Sequence, residues 1–153
     1  MLETLLVVTA PPRDPRPRQP RIDPRLREAR TCYDHLAGRL GVELADALMA
    51  RAAIRLEQDA GEITPAGAAF LVSIGVKLPR ASHSSRPLCR PCMDWTERRP
   101  HIAGALGAAL LERFIALGWL RRAAEGRAVV VTAAGQRGLA ARLSLRTNPE
   151  AKG

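Results

Sequence analysis

Two short phrases in this chain carry residue types that bind soft metals. "CYDH" sets Cys32 and His35 three positions apart, and "CRPC" does the same for Cys89 and Cys92. Together they offer three thiolates and one imidazole, a donor set suited to tetrahedral zinc or another soft divalent ion. The chain has 3 cysteines, an odd number without an export signal, which argues for reduced thiols or metal ligands over a disulfide framework. The competing reading is that free cysteine packs as a small hydrophobe while His35 caps or hydrogen-bonds within a helix. Asp34, Asp94 and His101 are expected at helix starts, where hydrogen bonding satisfies orphan N–H groups and carboxylates favour the dipole. His83, in "PRASHSSRP", is expected in solvent.

The elements that must position these residues come from an internal repeat. "HLAGRLGVELADALMARAAIRL" (His35 to Leu56) lies over "HIAGALGAALLERFIALGWLRR" (His101 to Arg122), pairing Leu48 with Phe114 and Ile54 with Leu120. After a short insertion in the second copy, "TPAGAAFLVSIG" from Thr64 lies over "TAAGQRGLAARL" from Thr132. Self-similarity of this length, with the gap at a turn, marks a duplicated unit. Ile102, Leu106, Leu110, Phe114 and Leu117 recur at helical spacing, so Pro100 is expected to start a helix that Gly118 ends. Trp119–Arg122 and Ala128–Val131 flank the turn signal "EGR" and predict a β-hairpin; "IRLEQDAGEIT" predicts its counterpart. Thr132, and Thr64 followed by Pro65, are candidate N-caps of the closing helices. The expected class is α+β, mostly α, with duplicated helix/β-hairpin/helix, winged-helix-like units at residues 30–80 and 81–146.

"CYD" and "CMD" each precede their copy of the His-Ala-Gly phrase, so pseudo-symmetric packing would bring the two cysteine pairs together. Gly38 with Gly41, and Gly104 with Gly107, either expose backbone for close helix approach or end a helix. Trp95, in "DWTERRPH", is expected as an inter-unit core anchor; the alternative is a stacking surface for a planar or anionic ligand.

Composition narrows the function classes. The net charge of +9 over 153 residues favours a polyanion partner only weakly. Of the 24 basic residues just Lys77 and Lys152 are lysine, as a GC-rich coding bias would produce. "PPRDPRPRQPRIDPRLREAR" (Pro11 to Arg30) is Pro- and Arg-rich and reads as an extended linker within residues 1–29. "MLETLLVVTA" is too short to span a bilayer and lacks a basic n-region, so a cytoplasmic protein without a membrane partner is expected. No phosphate loop, paired-carboxylate motif or nucleophile elbow is present, so no catalytic residues are assigned and an enzyme is not expected. Residues 147–153 read as a tail.

"RTCYDHLAGRLGV", "ITPAGAAFL", "RPLCRPCMDWTERRPHIAGALGAALLERFIALGWLRR" and "VTAAGQRGLAARL" resemble the C-terminal half of longer ArsR-family winged-helix transcription regulators, over about Arg30 to Leu145. The resemblance implies a homodimeric, DNA-binding repressor that releases its operator on sensing a metal ion or another stress signal. In such relatives a winged-helix reading head comes first, then a Pro-rich connector. Here "MLETLLVV" resembles the last turns of the helix leaving that head, so no recognition-helix residue is carried over, and the expectation is a truncated chain, a misassigned start or a free-standing effector domain. The expected function is therefore the dimerising, effector-sensing portion of such a regulator, with zinc or another soft divalent ion at Cys32, His35, Cys89 and Cys92. Because the family's own cysteine motif lies in the head, these four are candidates by chemistry alone. The alternative is a metal- or thiol-binding module that acts without DNA.

Overall fold

Two threonines start the closing helix of each repeat as the sequence predicts. The computed structural model describes residues 21–80 and 85–147. In it Thr64 Oγ1 accepts the N–H of Gly67 at 2.9 Å and opens α3 (Pro65–Ser73), and Thr132 Oγ1 accepts the N–H of Gly135 at 3.0 Å and opens α5 (Ala133–Leu143). Each hydroxyl also donates backward, to Ala52 O and to Gly118 O, clamping its helix to the end of the preceding one. Such caps satisfy donors that a helix start otherwise leaves open, each contributing about 1 kcal/mol.

Preceding α3 is the hairpin of β3 (Ile54–Leu56) and β4 (Gly61–Ile63), and preceding α5 is that of β7 (Leu120–Arg122) and β8 (Val129–Val131). The long amphipathic helices are α2 (Gly38–Ala50) and α4 (Gly104–Ala116). The residues paired by the repeat occupy matching core positions: Leu48 and Phe114 are sealed from solvent, as are Ile54 and Leu120. Both sets fall in a single apolar cluster with Leu71, Leu106, Leu110 and Leu139, so the two α+β units share one core.

Each unit begins with an element the periodicity did not reveal. A leading hairpin, β1 (Arg30–Cys32) with β2 (His35–Ala37), precedes α2, and β5 (Arg90–Met93) with β6 (Pro100–Ala103) precedes α4. The expected helix start at Pro100 is thus corrected: Pro100–Ala103 is strand and the helix opens at Gly104. Residues 35–37 and 101–103 are buried on both faces, and a short two-sided apolar run has no alternation to separate strand from helix. The linker reading also changes at its end, where a five-residue helix, α1 (Pro24–Glu28), is capped by Asp23 with Pro24 in its first turn. "MLETLLVV", most of the linker, His83 and the last tail residues lie outside the described residues. Among those described, no helix is long and apolar enough to cross a membrane.

The units are interlaced. Helix α2 packs on β6 of the second unit and α4 on β2 of the first. Arg30 and Ala128 bridge β1 to the strand edge before β8, with Thr31 N donating to Arg127 O and Val129 N to Ala29 O. The glycines make this possible in two ways. Gly104, at φ +80°, turns strand into helix, as Gly38 does at φ +81°; this left-handed region favours glycine. Gly107 instead gives room. A Cβ there would stand 2.3 Å from Ile102 O and 2.9 Å from His35 Cβ of the other unit.

Gly107→Ala is therefore expected to cost about 1–3 kcal/mol through overpacking, read as a lower denaturation midpoint. Gly118→Ala, where φ is +68° but nothing lies within 4 Å, should cost only the backbone strain of about 1 kcal/mol. Equal losses in the two variants would show that the crowding of Gly107 against Ile102 O and His35 Cβ is relieved without cost.

Candidate metal centre

In an antiparallel ladder, residues directly opposite project side chains to the same face with Cβ atoms about 4.5–5.5 Å apart. The β1–β2 hairpin makes such partners of Cys32 and His35, closing through Tyr33 and Asp34 with Tyr33 at φ +54°. The β5–β6 hairpin does the same for Cys92 and His101, across a longer loop. Two equivalent Cys–His pairs thus arise from different sequence spacings. Interlacing turns them toward each other: one ligand atom from each of Cys32, His35, Cys92 and His101 lies within 4.8 Å of all the others.

Of the four predicted ligands, Cys32, His35 and Cys92 are brought together and Cys89 is not. Cys89 lies three positions before Cys92, just ahead of β5, and so has no place in the ladder that pairs Cys92 with His101. It packs in the core, 4% exposed, against Gly61. Burial alone pushes its thiol up to about 11, so it stays a protonated hydrophobe. His101, expected to hydrogen-bond at a helix start, supplies the fourth ligand atom instead.

Both imidazoles are held from behind by carboxylates. His101 Nδ1 lies 3.0 Å from Asp94 Oδ2, and His35 Nδ1 3.5 Å from Asp34 Oδ1. A carboxylate behind a histidine fixes its tautomer and aims the other nitrogen at a metal. The two Nε2 atoms then face one another at 3.0 Å. Burial, and next the neighbouring His35, push His101 down to about 4 against the pull of Asp94; burial likewise lowers His35 against Asp34. Both rings are neutral at neutral pH. With each Nδ1–H directed at a carboxylate, two lone pairs would meet, so one ring must give up its carboxylate bond or a cation must lie between them. The Cys92 thiol is raised by burial, then by the charge of Cys32 and hydrogen bonding to it, so it favours the protonated form, and a cation beside it would favour the thiolate.

Asp94 organises the centre. Its Oδ1 accepts from Arg30 NH2 at 3.0 Å, Thr96 Oγ1 at 2.7 Å, Thr96 N and Glu97 N; its Oδ2 accepts from His101 and, at 2.7 Å, from Gly38 N at the start of α2. Burial would raise this carboxyl, but the bonds from Thr96, the Gly38 and Glu97 amides and Arg30 outweigh it and hold it well below the usual carboxylate range. Helix-start bonding by Asp94 is real, although the helix belongs to the other unit. Asp34 is more open, and its hydrogen bonds from Arg86 lower it, with 2.7 Å and 3.0 Å contacts. Trp95 does not anchor the core: it is 51% exposed, its ring over the buried Arg30 guanidinium at 4.7 Å. The longer β5–β6 loop carries it outside, and Trp119 takes the interior role by stacking on Phe114 at 5.4 Å.

The donor set fits a tetrahedral ion. Zinc bonds of about 2.3 Å to sulfur and 2.0–2.1 Å to nitrogen imply edges of about 3.3–3.8 Å, so the two Nε2 atoms at 3.0 Å would open slightly and the widest pairs, within 4.8 Å, would close.

Comparison with known proteins yields one informative similarity. Over 108 residues the chain is 41% identical to a Bacillus subtilis (strain 168) protein named as the uncharacterized HTH-type transcriptional regulator YdfF, covering 71% of this chain and 48% of that protein. The chain is kin to a transcription regulator. It spans about half the length of that relative. No protein-family model and no solved structure matches it.

Asp94→Asn should cost about 3–5 kcal/mol by leaving Arg30 buried without its counter-charge, measured by chemical denaturation. Metal-free protein should also lose stability as pH falls from about 6.5, where an unfolded histidine takes up its proton, toward the value of about 4 for His101. In that window the unfolded chain binds more protons, so stability rises with pH. His101→Gln should flatten the slope; an unchanged slope would mean that His101 is not the buried titrating group.

Proposed function

We propose that this chain is the dimerisation and effector-sensing portion of an ArsR-type transcriptional regulator, and that its effector is zinc or another soft divalent ion held by Cys32, His35, Cys92 and His101. The observation that carries the reading is the convergence of two cross-strand Cys–His pairs, with their Nε2 atoms 3.0 Å apart. Neutral imidazoles and thiolates together select soft or borderline ions over magnesium or calcium. Four protein ligands fill a tetrahedron and leave no open position for substrate, the arrangement of a binding or sensing site rather than a hydrolytic one. Kinship with an HTH-type transcriptional regulator supplies the regulatory setting.

The mechanism is linkage. An ion that binds only when both hairpins face each other stabilises that arrangement by its differential affinity, and the same free energy biases the DNA-reading head with which the portion works. Asp94 joins the centre to the fold through its bond to the first amide of α2, while Arg86 joins Asp34 to Gly104 O at the start of α4. Ligand position and helix start are thereby coupled in both units. Homodimerisation is part of the proposal and is read directly by light scattering.

Purified protein should hold one equivalent of zinc by elemental analysis, and cobalt substitution should give the intense visible bands of a tetrahedral site with thiolate charge transfer. Cys32→Ser and His101→Gln should lose the ion, Cys89→Ser should retain it, and Asp94→Asn should weaken it about 10–100-fold. A folded protein that binds neither ion would refute the metal reading. Stoichiometric binding with no effect on dimerisation or on DNA retardation across a salt series would refute sensing.

A further inference from the structure

The centre's two sulfurs can satisfy each other as well as a metal. Cys32 and Cys92 occupy equivalent places at the ends of β1 and β5, each opposite a histidine, and their Sγ atoms are among the four that lie within 4.8 Å of one another. Both are partly exposed, unlike Cys89, which is sealed in the core. Their neighbours Tyr33 and Met93, at matching positions of the two hairpins, are 94% and 64% exposed. The rim is therefore open to a small oxidant.

We propose that Cys32 and Cys92 are a reversible disulfide-forming pair, a modification site at which peroxide oxidation covalently joins the two hairpins. Peroxide first oxidises one thiolate: an S–O bond forms, the O–O bond breaks, and hydroxide leaves to be protonated to water. The second thiolate then attacks that sulfenic sulfur, forming the S–S bond, while the S–O bond breaks and its oxygen departs as a second water. In sum, two thiols and one hydrogen peroxide give a disulfide and two waters, and a dithiol reductant reverses the link. Resting on the metal reading is the further consequence that ion and disulfide exclude one another. Oxidation takes both thiolates from the ion and leaves only His35 and His101 to hold it.

The test uses the full chain, stripped of metal under reductant, desalted and exposed to stoichiometric hydrogen peroxide. The intact mass should fall by two hydrogens, about 2 Da, with no added oxygen. Peptide mapping should find Cys32 joined to Cys92 and Cys89 free, and dithiothreitol should restore the mass. Cys89→Ser should behave as the parent, whereas Cys32→Ser should give only oxygen adducts on Cys92, with circular dichroism verifying both folds. Separate oxidation of Cys32 and Cys92 without a link, or a link through Cys89, would overturn the proposal. Zinc-loaded protein should release its ion to a colorimetric chelator in step with cross-linking, and linkage without release would overturn the exclusion. Cross-linking in a protein that never binds zinc would sink the metal reading alone, and zinc binding without cross-linking would sink this one alone.

Discussion

One buried carboxylate ties this molecule together. Asp94 has no exposed surface and receives bonds from a cation, three loop donors, the His101 imidazole and the first amide of the other unit's helix. An ion pair as buried as Arg30–Asp94, at 1% and 0% exposure, gains little net stability over a well-packed apolar pair, because desolvating both charges is costly. What it contributes is specificity. The carboxylate satisfies its donors in one relative placement of β1, β5, β6 and α2, so wrong placements would strand a buried charge. Trp95 completes the arrangement by covering the face of Arg30, the most deeply buried guanidinium among the described residues.

Around that bond the repeat explains why four donor atoms gather where neither unit carries more than two. A lone hairpin offers one thiolate and one imidazole, too few donors to hold zinc in four-coordinate geometry. Duplication doubles the pair, and interlacing brings the halves face to face. The second glycine of each repeat phrase is what permits this. A Cβ at Gly107 would stand 2.9 Å from His35 Cβ of the other unit, and one at Gly41 would crowd Leu36 O at 2.6 Å in its own.

Much of this was legible in residue order, and what was not has identifiable causes. Thr64 and Thr132 announced their helices through local chemistry, and the later hairpins through β-prone runs about a turn. The leading hairpins were hidden because His35–Ala37 and His101–Ala103 are buried on both faces, leaving no period to read. That omission carried directly into the ligand set. With "CRPC" taken as a local pair, Cys89 looked like the partner of Cys92. With Arg90–Met93 as strand, the cross-strand neighbour of Cys92 is His101, while Cys89 falls just before the strand and packs in the core. The signal was present in the repeat: "CYD" matches "CMD" and "HLAG" matches "HIAG", so His101 is to Cys92 what His35 is to Cys32. Aligned this way, Cys89 falls opposite Ala29, itself sealed in the core.

The two halves of the centre are equivalent in plan and unequal in stiffness. His101 is backed at 3.0 Å by a carboxylate sealed from solvent, whereas His35 is backed at 3.5 Å by Asp34, whose side chain is 46% exposed and shared with Arg86. An exposed ion pair of that kind is worth little and is weakened by salt. His101 thus has a fixed backing, whereas the contact behind His35 is one that water can replace. A ligand bridging the two rings would do most of its ordering at His35, beside the turn where Tyr33 stands in the left-handed region. Since β1 also carries Arg30 and meets the strand edge beside Ala128, ordering there reaches both units at once, which is the property that a sensing element requires.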